Sequence, residues 1–237
     1  MSFTLRSLPR AQLLHERTYQ ALRSAILAGE LPTGARLIET QLAEQLQVSR
    51  TPIREALRLL ERDHLVESDR DGALRVAVLS IDDAIGLYDC RMALEQLSIV
   101  TACQTATQAQ LDQLEFMLHQ AEKSVIQAPN SLTKYQLLHL DYQFHRLFAT
   151  SSGNVWLVQI LDQVFDKMAL LRLRTIEHNP HVLEICDEHR RIFEAVRDRD
   201  ATIAAQAIQL HLAASKDRVV QEIKQLEHQS DSERHKP

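Results

Sequence analysis

Apolar residues recur at helical spacing through most of the chain. In the first such stretch, Leu14, Leu22 and Ile26 fall on one side of a predicted helix that ends at Gly29. Glycine and proline are few, with five and six residues, which also favours helix. No run of apolar residues is long enough to cross a bilayer, so we expect no membrane partner. The pattern predicts a mainly α-helical protein.

A different pattern follows the turn in "ELPTGARL", which leads into a short extended piece. Thr40 is predicted to cap a short helix, and Ser49 is predicted to cap the next one, which has Pro52 in its first turn. "LVES" and "ALRVAVL" then predict two strands joined by a hairpin turn at "DRDG". Two helices joined by a tight turn and followed by a hairpin make a winged helix-turn-helix with a small β-hairpin wing.

The start of the second helix of this pair carries candidate DNA-contacting residues. In "VSRTPIREALRLLER", Arg50 and Arg54 lie one turn apart and point away from the apolar face, with Thr51 between them. In a helix-turn-helix, this end of the helix enters the major groove. Residues 1–79 carry 11 arginines, no lysine and 10 acidic residues, a net charge of +1. The alternative is a solvent-exposed amphipathic helix, but the combined pattern favours DNA binding.

Residues 80–228 are predicted to form an antiparallel all-α bundle of six helices joined by short loops. Their expected spans are about 81–104, 107–127, 132–150, 154–176, 181–198 and 201–228. The polar tail 229–237 is expected to be disordered. We therefore predict a DNA-binding domain at 1–79 and a second, helical domain at 80–228.

Four polar residues are predicted to face the interior of this bundle. Asp141 and His145 are four positions apart, so they project from one face of a helix. His189 and His211 lie on two later helices, each among apolar residues. Buried polar groups need partners, and one shared cation would serve all four. The alternative is that these are core histidines with ordinary hydrogen-bond partners. One carboxylate and three imidazoles suit a divalent ion such as Zn, Ni, Mn or Fe.

The segment "LIETQLAEQLQVSRTPIREALRLLERDHLVE" resembles the DNA-binding domain of the GntR family of bacterial transcription regulators. That family usually has Gly where this chain has His64, just past the second helix. Glycine adopts a left-handed cap more readily than His does. The resemblance implies contacts with operator DNA from Arg50, Thr51 and Arg54, a lesser contact from Thr40, and a wing tip around Arg70 and Gly72 that reaches the minor groove.

The stretch 80–214 is similar to the FCD effector domain of the FadR branch of that family. The matching segments are "YDCRMALEQLSI", "DYQFHRLFATSSGN", "EHRRIFEAVRDRD" and "QLHLAAS". The resemblance implies that a divalent cation is held in the bundle core by Asp141, His145, His189 and His211.

The same resemblance suggests residues for an effector. Arg91 matches a family position that pairs with an effector carboxylate, and the alternative is a salt bridge with Glu95, one turn on. Asn154 and Arg172 are expected to line the effector cavity, although Asn154 could instead cap its helix.

The number and spacing of the cysteines, together with the N-terminal segment, indicate the cellular compartment of the protein. The three cysteines, Cys90, Cys103 and Cys186, are odd in number and widely spaced, which is typical of free thiols. The N-terminal "MSFTLRSLPRAQ" does not have the apolar core of a secretion signal. We expect a cytoplasmic protein.

Together these features predict a ligand-responsive transcription regulator and not an enzyme. A homodimer would bind a palindromic operator, and a small carboxylate metabolite would bind at the metal. One alternative is a metal sensor, in which the cation is the signal. Another is a metalloenzyme with a DNA-binding appendage. Against the enzyme, Glu188 neighbours His189 but is predicted to project a quarter turn away, so no carboxylate is placed as a base.

Overall fold

The structure is a computed structural model that describes residues 11–126, 131–179 and 185–234. Within these ranges there are nine helices and two strands. They are α1 (Ala11–Leu27), α2 (Glu39–Gln45), α3 (Arg50–Arg62), β1 (Val66–Ser68), β2 (Leu74–Val76), α4 (Ile81–Thr105), α5 (Gln108–Ile126), α6 (Ser131–Ser151), α7 (Val155–His178), α8 (Cys186–Arg197) and α9 (Ala201–Arg234). The chain divides into two compact units, Met1–Val78 and Leu79–Pro237.

The first unit is built around α3. The predicted apolar face of this helix is fully buried and packs against α1, which contributes Leu22 and Ile26. The short helix α2 packs on the other part of α3 through buried Leu42 and Ala43. The two-stranded hairpin then follows, which confirms the predicted winged helix-turn-helix.

The start of α2 differs from the sequence prediction, whereas α3 begins directly after Ser49 as predicted. Thr40 is the predicted cap, but α2 begins two residues earlier than this predicts, and its N-cap is Ile38, with no side-chain hydrogen bond. Ser49 occupies the N-cap of α3, again with no side-chain hydrogen bond. His64 adopts the left-handed conformation with φ of 58°. Its N–H donates to the Glu61 carbonyl, and the Leu65 N–H to the Leu60 carbonyl, as in a Schellman cap.

The wing is an antiparallel hairpin in which Val66 pairs with Val76 and Ser68 with Leu74. Asp69 holds the turn, because one of its carboxylate oxygens accepts hydrogen bonds from the N–H groups of Asp71 and Ala73. Gly72 has a φ of 75°, which a residue with a side chain adopts rarely. The "DRDG" turn therefore forms as predicted.

The second unit contains α4–α9, and α4 packs most extensively against α9. Its main core joins α4, α5, α6, α8 and α9 through residues such as Ile99, Phe148, Phe193 and Ile208. Tyr88 and Ser215 make a buried hydrogen bond of 2.9 Å between α4 and α9. These contacts confirm the helical bundle predicted for the C-terminal part of the chain.

Several helix ends follow from local side-chain hydrogen bonds. Ser80 and Asp83 form a capping box at the start of α4, and Thr107 and Gln110 form a similar pair at the start of α5. Helix α8 begins at Cys186, five residues later than predicted, and residues 180–184 lie outside the described ranges. Helix α9 continues to Arg234, so the part of the predicted disordered tail up to that residue is helical.

In the described part of the chain, no helix has the length and apolar character needed to cross a membrane.

Candidate metal centre and nucleic-acid interface

The bundle brings together the four residues predicted to share a cation. Asp141 and His145 come from α6, His189 from α8 and His211 from α9. All four side chains are buried, and one potential ligand atom from each lies within 4.8 Å of the other three. The four groups therefore converge on one point inside the bundle.

The hydrogen bonding at this point is incomplete. Among the described residues, neither Asp141 Oδ1 nor His189 Nε2 has a hydrogen-bond partner, and these two atoms lie 3.5 Å apart. The Nε2 atoms of His145 and His211 face each other at 3.3 Å. A buried polar atom without a partner destabilises a protein by roughly 1–3 kcal/mol. A cation between these atoms would satisfy them, so the donor set fits a metal ion.

The protonation of the histidines suits the same role. Burial lowers the pKa of His189 well below its ordinary value, and the neighbouring His211 and His145 lower it further. Burial also lowers the pKa of His211 to about 4, although its hydrogen bond to Glu188 acts in the opposite direction. Both imidazoles are therefore neutral near pH 7, and neutral imidazole is the form that binds a metal.

Two carboxylates orient the imidazole rings from outside the cluster. Glu95 Oε2 lies 2.5 Å from Nδ1 of His145, and Glu188 Oε2 lies 2.7 Å from Nδ1 of His211. These contacts leave Nε2 of each ring to face the cluster. Carboxylate partners of this kind fix the ring orientation and make the ligand more basic.

Sequence reasoning missed both carboxylates as partners of the histidines. Glu188 was expected to project away from His189, and it does so, but it reaches His211 on α9 and also binds Arg218 at 2.8 Å. Burial alone would raise the pKa of Glu188, but these two partners lower it to about 2. No signal in a single sequence pairs residues on different helices.

An arginine outside the cluster holds the other carboxylate oxygen of Asp141. Its Oδ2 accepts a hydrogen bond from buried Arg172 on α7. Burial alone would raise the pKa of Asp141, but Arg172 and the two nearest histidines hold it well below its usual range. Arg172 was expected to line an effector cavity, and the structure instead places its guanidinium on the carboxylate of the candidate metal ligand.

Arg91 forms the salt bridge with Glu95 that the sequence analysis gave as the alternative to an effector contact. Its Nε donates to Glu95 at 2.5 Å. The side chain is fully buried, with the guanidinium carbon 5.3 Å from the ring centroid of Phe165. Its Nη2 finds no partner among the residues that the structure describes. The Nη2 amino group of Arg91 therefore still has hydrogen-bond donors to offer although the ion pair with Glu95 is formed.

Asn154 caps a helix instead of lining a cavity. Its Oδ1 accepts hydrogen bonds from the N–H groups of Trp156 and Leu157 at the start of α7. Both contacts are 3.2 Å, and the residue itself is exposed. The expected effector contact from Asn154 is therefore not supported by its position.

A small cavity of about 20 Å³ lies beside the candidate metal ligands, between α5, α6 and α8. Asp141 and His189 form its polar side. Phe144 lines it as well and stacks on the His189 ring, with the two centroids 4.4 Å apart. The rest of the lining is apolar, so a group that bound here would meet the ligand atoms at one end only.

The candidate DNA-contacting residues lie at the exposed start of α3. The side chains of Arg50 and Arg54 are 59% and 49% exposed, and Thr51 between them is also exposed. Glu39 of α2 accepts hydrogen bonds from both guanidinium groups, at 3.2 Å from Arg50 and 3.0 Å from Arg54. This bridge, which the sequence pattern did not predict, holds both arginines side by side.

The other predicted DNA contacts are also on the surface of the first unit. Thr40 is exposed in the first turn of α2, and Arg70 and Gly72 are exposed at the tip of the wing. Arg75 donates to Asp69 at 2.8 Å, so the base of the turn is tied to β2. The tip therefore presents the Arg70 guanidinium from a braced turn.

Comparison with known families and proteins agrees with these features. Residues 14–76 match the family model described as bacterial regulatory proteins, gntR family, and residues 86–214 match the FCD domain. The chain is 34% identical over 193 residues to the HTH-type transcriptional regulator YdhC of Bacillus subtilis, which covers 81% of this chain and 85% of that protein.

Solved structures show the same fold. The structure of E. coli McbR/YncC matches with a TM-score of 0.76 and 20% identity, and the match covers 89% of this chain and 98% of that one. The FCD domain of TM0439, described as metal-free, matches with a TM-score of 0.52 and 15% identity over 63% of this chain and 99% of its own. The predicted two-part architecture is confirmed.

Proposed function

Because the chain belongs to the GntR family of bacterial regulatory proteins and carries an FCD effector domain, we propose that it is a metal-dependent, ligand-responsive regulator of transcription. In this proposal a homodimer binds a palindromic operator, and a small organic acid binds beside a cation in the helical unit. The family and the names of relatives are those of transcription regulators and not of enzymes.

The observation that carries the metal part of this proposal is the pair of unsatisfied buried atoms, Asp141 Oδ1 and His189 Nε2. They converge with the Nε2 atoms of His145 and His211. A divalent ion such as Zn, Ni, Mn or Fe suits this donor set. When bound, the ion supplies positive charge and open coordination positions to an acidic ligand.

Arg91 supports a carboxylate as the ligand. Its Nη2 is buried without a described partner, and its charge is close enough to Asp141 to lower the pKa of that carboxyl, behind the larger contributions of Arg172 and the histidines. A bound carboxylate would accept a charge-assisted hydrogen bond from Nη2. Glu95 holds the other side of the guanidinium, so Arg91 would be positioned before the ligand arrives.

DNA binding is proposed for the exposed start of α3. Arg50, Thr51 and Arg54 project from it without steric cover in the first unit. Guanidinium groups bind guanine edges in the major groove, where the start of such a helix docks. Arg70 and Gly72 at the wing tip would contact the minor groove, and Thr40 would add a contact from α2.

The other two functions that the sequence left open have less support. For a metalloenzyme, the carboxylates nearest the cluster would need to act as bases, but Glu95 and Glu188 are each held between an imidazole and an arginine. For a metal sensor, the ion would need to exchange readily. The carboxylates that orient the rings of His145 and His211 favour a retained ion instead.

The metal site is tested by removing one ligand. We expect His189→Ala to lower the bound metal from about one ion per chain to a small fraction of that. The variant should also lose the rise in melting temperature that added metal gives the native protein, because a ligand of the folded state stabilises it. Elemental analysis and thermal denaturation with and without added Zn measure the two effects.

His119→Ala is the matched control, since His119 is exposed on α5 and, among the residues with a described position, its ring contacts the Glu115 carbonyl of its own helix and no candidate ligand. It should keep the metal and the stabilisation. A full equivalent of metal in His189→Ala would show that the ion is not held by these residues.

A further inference from the structure

Every arginine of α3 is paired with a carboxylate. The pairs are Arg50 and Arg54 with Glu39, Arg58 with Glu55, and Arg62 with Asp63. Residues 1–79 carry 11 basic and 10 acidic residues, so their net charge is only +1. Binding to DNA of any sequence comes almost entirely from basic groups that neutralise phosphates. This part of the chain therefore has little net charge available for binding that ignores the sequence.

Glu39 lies where one carboxylate reaches both candidate DNA-contacting arginines. It is the first residue of α2 and is half-buried, whereas both arginines are exposed. Its Oε1 accepts from Nε of Arg54 at 3.1 Å, and its Oε2 accepts from Nη2 of Arg54 at 3.0 Å and from Nη2 of Arg50 at 3.2 Å. The hydrogen bonds from Arg54 hold the pKa of Glu39 below its ordinary value, although burial acts in the opposite direction. A negative charge therefore lies beside both guanidinium groups at neutral pH.

These contacts use only one of the two edges with which Arg54 can bind a partner. A guanidinium group can donate two parallel hydrogen bonds either from Nε and Nη2 or from Nη1 and Nη2. Glu39 takes the Nε and Nη2 edge of Arg54, and no residue with a described position accepts a hydrogen bond from its Nη1. Arg54 can therefore donate to O6 and N7 of a guanine from the second edge while Glu39 holds the first.

The Glu39 carboxylate acts differently on the two kinds of group that DNA offers. A phosphate is an anion, so a phosphate bound by either arginine would lie close to a like charge and be repelled by it. The guanine edge in the major groove is uncharged and presents acceptor atoms, so it meets no such repulsion. The carboxylate therefore weakens the contacts that every sequence offers and leaves those that depend on the base.

Folding stability does not account for this shared carboxylate. The side chains of Arg50 and Arg54 are about half exposed, and ion pairs between exposed side chains contribute little to the stability of a protein. The apolar residues of α2 that pack on α3 are Leu42 and Ala43, which lie on the buried side of the helix. The bridge is therefore a feature of the exposed surface and not of the core.

We infer that Glu39 is a specificity-determining residue of the DNA interface. It competes with DNA phosphates for Arg50 and Arg54, so these arginines bind well only where a guanine meets them. This inference rests on the DNA binding of the proposed function and specifies how that contact discriminates between sequences.

The test compares two duplexes of equal length, one that the native protein enriches from a random-sequence library and one with that sequence scrambled. Glu39→Gln keeps the size of the side chain and removes its charge. We expect it to bind the scrambled duplex about tenfold more tightly than the native protein does, and the enriched duplex with a smaller change. The slope of log affinity against log salt for the scrambled duplex should steepen by about one, because one more phosphate is neutralised. Fluorescence anisotropy titrations at several salt concentrations measure both quantities.

Glu55→Gln is the matched control, because Glu55 is an exposed carboxylate that pairs with Arg58 further along α3. It removes the same charge and should change the affinities for both duplexes equally, which leaves their ratio unchanged. Glu39→Asp keeps the charge and should retain most of the native preference for the enriched duplex.

Two results would overturn the inference while DNA binding stands. In one, Glu39→Gln keeps the native ratio of affinities for the two duplexes. In the other, the ratio falls only because the enriched duplex binds more weakly, which would mean that Glu39 does not oppose phosphate contacts. If the native protein enriches no sequence from the library, the DNA-binding part of the proposed function fails, and the inference fails with it.

Discussion

Single side chains outside the metal cluster are expected to tune it. Glu188 binds Nδ1 of His211 and leaves Nε2 of that ring facing the other ligands. Replacing it with Gln removes the negative charge that makes the imidazole basic. We expect Glu188→Gln to weaken metal binding about 10–100-fold without abolishing it. Competition with a coloured chelator measures the change.

Arg218→Gln separates the effect of Glu188 on His211 from the effect of its ion pair with Arg218. Arg218 donates to Glu188 at 2.8 Å, and within the described part of the chain it makes no hydrogen bond to a candidate ligand, so the variant keeps the carboxylate on His211. It should change metal affinity less than Glu188→Gln does. Equal affinities for the protein and Glu188→Gln would contradict an orienting role for this carboxylate.

The buried histidines also make stability depend on pH. In chelator-treated protein, burial lowers the pKa of His211 to about 4, against an ordinary value of 6.5. The unfolded chain therefore binds a proton that the folded chain excludes between these two values. The free energy of unfolding should then fall as the pH is lowered from about 6.5 to 4.

Urea denaturation at several pH values measures this dependence, and added metal should steepen it, because protons compete with the ion for the same nitrogens. His211→Asn should flatten the curve, whereas the same change at exposed His119 should not. A free energy of unfolding that stays constant from pH 6.5 to 4 would show that His211 is accessible to protons in the folded protein.

At the scale of elements, α2 and the wing leave the start of α3 exposed on the surface of the first unit. The Schellman cap at His64 ends this helix with the backbone conformation that glycine usually supplies, and β1 follows directly. Glu39 on α2 holds the guanidinium groups of Arg50 and Arg54 together. Two helices thus position one pair of basic groups.

We expect Arg50→Ala or Arg54→Ala to weaken operator binding by roughly 1–3 kcal/mol and to relax the preference for the bases they contact. Arg58→Ala is the control on the same helix, since Arg58 lies further from the start and pairs with Glu55. It should change affinity less and leave base preference intact. Mobility-shift titrations with operator and mutated sequences measure both quantities, and unchanged affinity in both variants would exclude α3 as the contact.

At the scale of the whole molecule, the proposal requires that the two units influence each other. If a carboxylate effector changes operator affinity by some factor, operator DNA must change effector affinity by the same factor, which is about 5–150-fold in typical cases. Calorimetric titration of the effector into free and DNA-bound protein should give that ratio. Removing the metal should bring this ratio of effector affinities close to one.

His189→Ala provides the matched protein for this measurement, because it retains the DNA-contacting residues and lacks one metal ligand. It should bind the operator with no effector dependence. If the operator affinity of the native protein changes with the free metal concentration when no organic acid is present, the metal sensor replaces the ligand-responsive regulator as the function.

The sequence by itself determined what depends on neighbouring residues. The apolar spacing around Ile53 and Leu57 predicted α3, and Ser80 and Thr107 predicted the starts of α4 and α5. Helical periodicity and capping act over three or four residues, so one sequence contains them in full. The same spacing indicated that Asp141 and His145 share a face.

Only the tertiary structure decided which groups meet across helices. It placed Glu95 on His145, Glu188 on His211 and Arg172 on Asp141. It also linked Glu39 of α2 to the arginines of α3. These contacts depend on how each helix is rotated and shifted against its neighbours, which the packing of the whole core sets and no local spacing encodes.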